Sequence, residues 1–396
     1  MQAATQTRPF DLLRGAMQRY VDNDILAGVS WSLLRGRDEI DRQFVGYADR
    51  DATTPLREDH IFRAFSNSKL FTTCAIMLLV EDGRIGLDDR IEKFLPQLGN
   101  RKVLKADATS LADVEPARSS ITIRHLLSHS SGLSYGIFDP GTLIFKAYNE
   151  AKIMNPETPL SDMVDRLADL PLTYHPGASF EYSIATDVLS RVVEVVSGKP
   201  FDEFLQARIF APLGMKDTGF AVPQAQQGRL VAYYRGADLL DPTKPGLTRI
   251  DPASPYPQAY LRPFARLSGG GGLVSTMPDM RALVRALLPG PDMLLRPETI
   301  KEMMRNQLAD GQVIRFAMLG PMPGKGYGLG GAVTLAPTPF DPPNSTGEFQ
   351  WGGVAGTHWF ICPGANLAGI VMAQRYMAFW NPFFFEFKRL AYQAAG

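Results

Sequence analysis

Cysteine, charge imbalance and long apolar runs are all scarce in this 396-residue chain. The two cysteines, Cys74 and Cys362, lie in apolar surroundings. They suit a reducing compartment or indifference to redox, and each reads as a small core residue rather than a nucleophile. Lys+Arg and Asp+Glu both number 41, and no basic block breaks the balance. Nucleic acid and anionic membrane are thereby excluded as expected partners. No apolar stretch approaches the roughly 20 residues that a membrane span needs. The N-terminal segment has no basic region followed by an apolar one, so no secretory signal is read and the expected location is cytoplasmic.

What remains is an ordinary globular composition, 45% hydrophobic and 21% charged, on a chain longer than one core usually supports. Residues 9–22 carry apolar positions at helical spacing (Leu12, Leu13, Ala16, Met17, Tyr20, Val21). Val29, Trp31 and Leu33 alternate, Arg35-Gly36-Arg37-Asp38 turns the chain, and residues 40–47 return, which predicts a β-hairpin. Residues 85–270 read as helices (121–128, 160–170, 185–197) joined by loops rich in proline and glycine. Strand patterns come back at 330–335, 347–351, 358–362 and 367–373, followed by a helix over 383–394. The pattern predicts one antiparallel α/β sheet built from both ends of the chain, with a mainly helical region inserted. The expected domains are 1–84 with 270–396, and 85–269.

The stretch Ser66-Asn67-Ser68-Lys69 carries the most chemistry. It stands where an extended segment gives way to an apolar run over 70–80, stopped by Gly83. A serine on the first turn of a helix meets free N–H groups and a dipole that favour developing negative charge. A lysine three residues on shares its face, so the amine reaches the hydroxyl. The run that follows is apolar all round, which predicts a buried helix with a poorly hydrated lysine at its mouth. A motif this short arises about once by chance in such a chain, so its partners decide its meaning.

Other motifs carry less. Gly132-Leu133-Ser134-Tyr135-Gly136 has the hydrolase-elbow spacing, but a helix precedes it where a strand is required. Gly326-Tyr327-Gly328-Leu329-Gly330-Gly331 lacks the following helix of a dinucleotide site. Gly269 to Gly272 lacks the Lys-Ser/Thr of a phosphate loop and reads as close backbone packing. His125 and His129 have zinc-ligand spacing without the glutamate or a third ligand, so hydrogen bonding at a helix end is preferred. The aromatic cluster Phe379, Trp380, Phe383, Phe384, Phe385 and Phe387 reads as core.

A serine nucleophile needs a base, an acid for the leaving group, and N–H donors for the oxyanion. Tyr182-Ser183-Ile184, at the head of the 185–197 helix, offers a phenol that can exchange protons beside a lysine. Trp351-Gly352-Gly353-Val354 ends a predicted strand; its paired glycines let a backbone pass close to a ligand, and the Val354 N–H can join that of Ser66 as oxyanion hole. Ser66-x-x-Lys69, Tyr182-Ser183 and Trp351-Gly352-Gly353, in this order over most of the chain, resemble the serine β-lactamase and penicillin-binding-protein superfamily. The branch they resemble is that of the family VIII carboxylesterases, related to class C β-lactamases. Residues 121–133 (ITIRHLLSHSSGL), Pro212-Leu213-Gly214-Met215 and 270–276 (GGGLVST) support it. The resemblance implies a β-lactamase-like fold, a site between sheet and helical domain, catalytic Ser66, Lys69 and Tyr182, an acyl-serine intermediate, and neither cofactor nor metal.

Two departures set the branch. Position 184 is isoleucine where β-lactam-hydrolysing relatives carry asparagine, and position 351 is tryptophan where they carry the lysine of Lys-Thr-Gly. Without that cation, anionic penicillins and cell-wall peptides lose an anchor. Trp351, Gly352, Gly353 and Ile184 are instead expected to wall a site for a neutral small-molecule ester. The alternatives are an acyltransferase of the same branch, residual β-lactamase or D-peptidase activity, or a non-catalytic penicillin-recognition module. Oligomeric state leaves no readable sign.

Overall fold

The structure is a computed structural model, and it describes residues 9–316, 320–378 and 382–396. An eight-stranded sheet forms its spine, in the order Lys325–Tyr327, Ala332–Thr334, Phe349–Gly353, Thr357–Cys362, Leu367–Ala373, Gly28–Arg35, Asp38–Asp49, Thr54–Pro55. Every neighbouring pair is antiparallel. The seam between the two ends of the chain runs from Val29↔Ala373 to Arg35↔Leu367. This is the antiparallel sheet from both chain ends that the alternating patterns predict, and the β-lactamase-like one that the resemblance implies.

Period-two alternation divides the sheet's side chains between two cores. Val29, Trp31, Leu33, Val371 and Phe360 pack with Leu13 and Met17 of the helix Asp11–Asp22 and with Phe383 and Phe387 of the helix Pro382–Ala395. Trp359, Ile361, Ile370 and Met372 point the other way, into the large core. Both faces are covered, which is why these strands carry few polar residues. In the aromatic cluster, Phe383, Phe384 and Phe387 are buried and Phe385 is partly exposed. Phe379 and Trp380 lie outside the described residues.

The helix Ser68–Glu81 runs through the large core, with every residue from 68 to 79 buried. Gly83, at φ 69°, ends it in a left-handed turn that only glycine adopts freely. The helix Ala185–Ser197 of the 85–270 segment packs against it, and Ile123–Leu127 and Leu160–Ala168 pack in turn against Ala185–Ser197. Two short ribbons interrupt that segment, Lys102–Leu104 with Val114–Pro116 and Tyr234–Gly236 with Leu247–Arg249. The strand expected over 330–335 is shorter, Ala332–Thr334, because Gly330 turns at φ 85°. A Cβ there would lie 2.0 Å from Thr73 Oγ1 on the buried helix. Its partner Lys325–Tyr327 escaped the alternation rule, being too short and too rich in glycine to show it. Among the described residues no helix is long and apolar enough to cross a membrane.

Candidate active site

Three segments distant in sequence are brought to one corner by backbone pairing. The strand Ile61–Arg63 pairs with Val274–Thr276, and the Ala64 N–H donates to the Leu273 carbonyl at 2.9 Å. Ser68 Oγ accepts from the Leu273 N–H at 3.1 Å, fixing the glycine run beside the helix mouth. The end of the strand Phe349–Gly353 approaches from the other side. A Cβ on Gly353 would stand 2.5 Å from the Ala64 carbonyl and 3.2 Å from Phe65 Cβ. One on Gly352 would strike His358 Nδ1 at 2.1 Å. The glycine pair is therefore demanded by packing of the strand against the Ser66 turn and His358.

Ser66 itself lies in a 3-10 turn, Phe65–Asn67, that runs into the helix. Phe65 enters that turn at φ 46°, an uncommon conformation for a bulky residue. Its ring is held between Tyr233 and Tyr260, at centroid distances of 5.5 and 5.8 Å.

Around the Ser66 hydroxyl the predicted residues converge. Tyr182 OH donates to Ser66 Oγ at 2.8 Å, and Lys69 Nζ donates to the same oxygen at 3.4 Å. Lys69 Nζ lies 4.6 Å from the Tyr182 ring centroid. Trp351 Nε1 donates to Tyr182 OH at 3.2 Å, so Trp351 touches the phenol directly. Its ring stacks near Phe316 (6.5 Å, 27°), and with Phe138 they give the corner a half-buried aromatic side. Ile184 belongs elsewhere. It has no exposed surface and caps the helix Ala185–Ser197 from within the core. That burial corrects the expectation that it lines the substrate site.

Three further neighbours, Tyr135, Gly270 and His129, stood in the sequence only inside motifs read for other purposes. Tyr135 OH accepts from Lys69 Nζ at 3.3 Å, and the Gly270 carbonyl accepts from it at 2.7 Å. Burial, with Asp187 nearby, pushes the Tyr135 phenol well above its ordinary pKa, so it stays protonated. His129 supports Tyr182 from behind, its ring 4.7 Å away and its Nδ1 accepting from the Ser183 N–H at 3.2 Å. Burial, then the Lys69 charge, holds His129 well below the usual histidine range, leaving it neutral.

The remaining motifs find structural uses. Ser134 is buried and donates to Glu181 Oε1 at 2.7 Å, while its neighbour Tyr135 reaches the site. His125 completes a capping box with Thr122, and among the described residues no cluster of three metal-ligating side chains forms. Cβ atoms on Gly269 and Gly270 would lie 2.1 Å from Ser190 Oγ and 2.4 Å from Asp187 Oδ2, so that run is close packing, as read.

Comparison with known proteins agrees with this geometry. The Beta-lactamase family model matches residues 13–378. Esterase EstB of Burkholderia gladioli is 30% identical over 361 residues, 88% of this chain and 86% of that protein. Lovastatin esterase of Penicillium rubens is 33% identical over 335 residues, 80% of each. Among solved structures, EstCE1, "a hydrolase with promiscuous acyltransferase activity", superposes with a TM-score of 0.80 at 26% identity, covering 97% of this chain and 98% of its own. The chain belongs to the β-lactamase family, in its family VIII carboxylesterase branch.

Proposed function

We propose that this protein hydrolyses short- and medium-chain carboxylic esters through an acyl-Ser66 intermediate. The observation that carries the reading is the Ser66 hydroxyl held by Tyr182 at 2.8 Å and Lys69 at 3.4 Å. Ser66 Oγ attacks the ester carbonyl carbon as its proton passes to the Lys69–Tyr182 pair. The carbonyl oxygen, now an oxyanion, is held by the N–H groups of Ser66 and Val354. Collapse breaks the ester C–O bond, and the pair returns the proton to the leaving alkoxide. Water then attacks the acyl-serine, giving its proton to the same pair, and the acid departs with Ser66 restored.

Within the pair, hydrogen-bond counting favours Tyr182 as proton acceptor. Lys69 faces three acceptors, Gly270 O, Tyr135 OH and Ser66 Oγ, which use the three N–H bonds of an ammonium. The Trp351 N–H is directed at Tyr182 OH, which thus accepts one hydrogen bond while facing Ser66 Oγ at 2.8 Å. Spent on Tyr182, that indole has no cation to offer a carboxylate, which supports a neutral ester over a β-lactam. We further assign residues 1–84 with 270–396 to the α/β unit and 85–269 to the helical one, with the ester entering between them.

A p-nitrophenyl ester series tests the reading. Ser66→Ala is expected to lose hydrolysis and Ser134→Ala to keep it; the reverse result would move the nucleophile to Ser134. A phosphonate inhibitor is expected to add its mass to the peptide carrying Ser66. Acyl transfer is the second reading, favoured by the likeness to EstCE1. Adding a competing alcohol separates the two, since a transferase diverts acyl groups into a new ester.

A further inference from the structure

Lys69 and Asp187 are both buried, each 1% exposed. A buried charge without a counter-charge is strongly disfavoured. Yet the three groups that Lys69 touches are neutral oxygens, and neither oxygen of Asp187 has a hydrogen-bond partner among the described residues. The two side chains meet the same pair of neighbours from opposite sides. Lys69 Nζ donates to the Gly270 carbonyl and to Tyr135 OH. On the far side, the position a Gly270 Cβ would take is 2.4 Å from Asp187 Oδ2 and 3.0 Å from Tyr135 OH. Only a residue without a side chain lets the carboxyl group come this close behind the lysine.

We propose that Asp187 is the counter-charge of Lys69, acting across the Gly270 peptide and the Tyr135 phenol to keep the lysine an ammonium. Asp187 is thus a positioning residue: it touches no reacting atom and works through Lys69. The inference rests on the Ser66–Lys69–Tyr182 reading above. With its charge paired, Lys69 orients Ser66 Oγ and sets its positive charge 4.6 Å from the Tyr182 ring centroid. Other ionisable groups around this cluster are Tyr182 and Tyr327, which bear on Tyr135 as like charges when ionised, His129, on which the Lys69 charge acts, and the buried Arg266. Arg266 donates from Nη1 and Nη2 to the neutral carbonyls of Ile153 and Met154 and its Nε has no partner among the described residues, so its charge faces the same cluster, and an unmoved alkaline limb would assign Asp187 to it instead.

The test is the pH profile of kcat for p-nitrophenyl butyrate with Asp187→Asn, which keeps shape and removes charge. Without its counter-charge the ammonium gives up its proton more readily, so the alkaline limb is expected to move to lower pH by about one unit. On that limb kcat falls about tenfold while KM changes little. Asp187→Glu is expected to restore part of the shift. An unmoved alkaline limb in folded Asp187→Asn overturns the proposal, whatever happens to stability. Should Asp187→Asn not fold, Tyr135→Phe serves. It removes one of the two groups that relay the effect, and an alkaline limb unchanged there overturns the proposal too. Phosphonate labelling of wild type keeps the two readings apart: label at Ser66 with an unmoved limb rejects only the role of Asp187, whereas no label at Ser66 rejects the nucleophile assignment itself.

Discussion

The strand Phe349–Gly353 joins two buried lysine sites that are built on opposite plans. At its start, Lys388 bonds directly to Glu348, and Lys325 meets Asp341 at 2.6 Å and Thr334 Oγ1 at 2.8 Å. Burial would raise the Asp341 carboxyl, yet the Lys325 hydrogen bond and charge hold it below its ordinary value. At the strand's other end, Lys69 donates only to neutral oxygens and makes no direct ion pair among the described residues. Direct pairing neutralises charge and locks the sheet's flank to the helix Pro382–Ala395. Pairing at one remove leaves the ammonium's field free to act on Ser66 and Tyr182. The first plan serves stability and the second serves reactivity.

Substitutions can break that contrast. Lys69→Met is expected to lower kcat by about 10^4-fold, comparable with loss of the nucleophile, while reducing the melting temperature less than a change at Glu348. Tyr182→Phe should cost about 10^2- to 10^4-fold in kcat, measured at the same ester concentrations. Glu348→Gln removes the direct partner of Lys388, leaving it only Asp341 at 3.9 Å, and is expected to cost about 3 kcal/mol in urea unfolding, with kcat per folded molecule unchanged. Equal stability losses at Lys69 and Glu348 would erase the distinction between the sites. Trp351→Phe keeps the wall but removes the N–H to Tyr182, for an expected loss of about threefold to tenfold in kcat.

His358, beside Gly352 between the two sites, sharpens the comparison through pH. Burial, then the charge of Lys388, lowers it to about 3, so it is neutral in the fold and charged in the unfolded chain below its ordinary value of 6.5. The unfolded state then binds the extra proton, and stability is full above pH 6.5 and declines as pH falls toward about 3. His358→Leu is expected to remove that slope from urea midpoints taken between those limits. It should leave the alkaline limb of the rate profile in place.

Chemistry written in local spacing was legible; chemistry assembled from separate segments was not. Ser66 and Lys69 share a helical face, and Trp351-Gly352-Gly353 announces a close approach, so each stood out in the sequence. Tyr135 and Asp187 come from a loop and a helix with no fixed offset from Ser66. Tyr135 even stood inside the Gly132–Gly136 motif, where attention falls on the serine. Ile184 was expected in the site because β-lactam-hydrolysing relatives carry asparagine at that position, but the start of the helix sends the isoleucine into the core. For the fold, alternation revealed the long strands, and the three-residue edge strand Lys325–Tyr327 was too short to alternate.

The seam in which Val29 pairs with Ala373 has a consequence for synthesis. A ribosome releases Ser66 and Lys69 early, but their backbone supports, Leu273 and Gly353, and the sheet's closing strand all emerge much later. Non-local pairing of this kind forms slowly and late. A growing chain therefore carries Ser66 and Lys69 without the backbone that fixes them until residues 273, 353 and 367–373 have emerged.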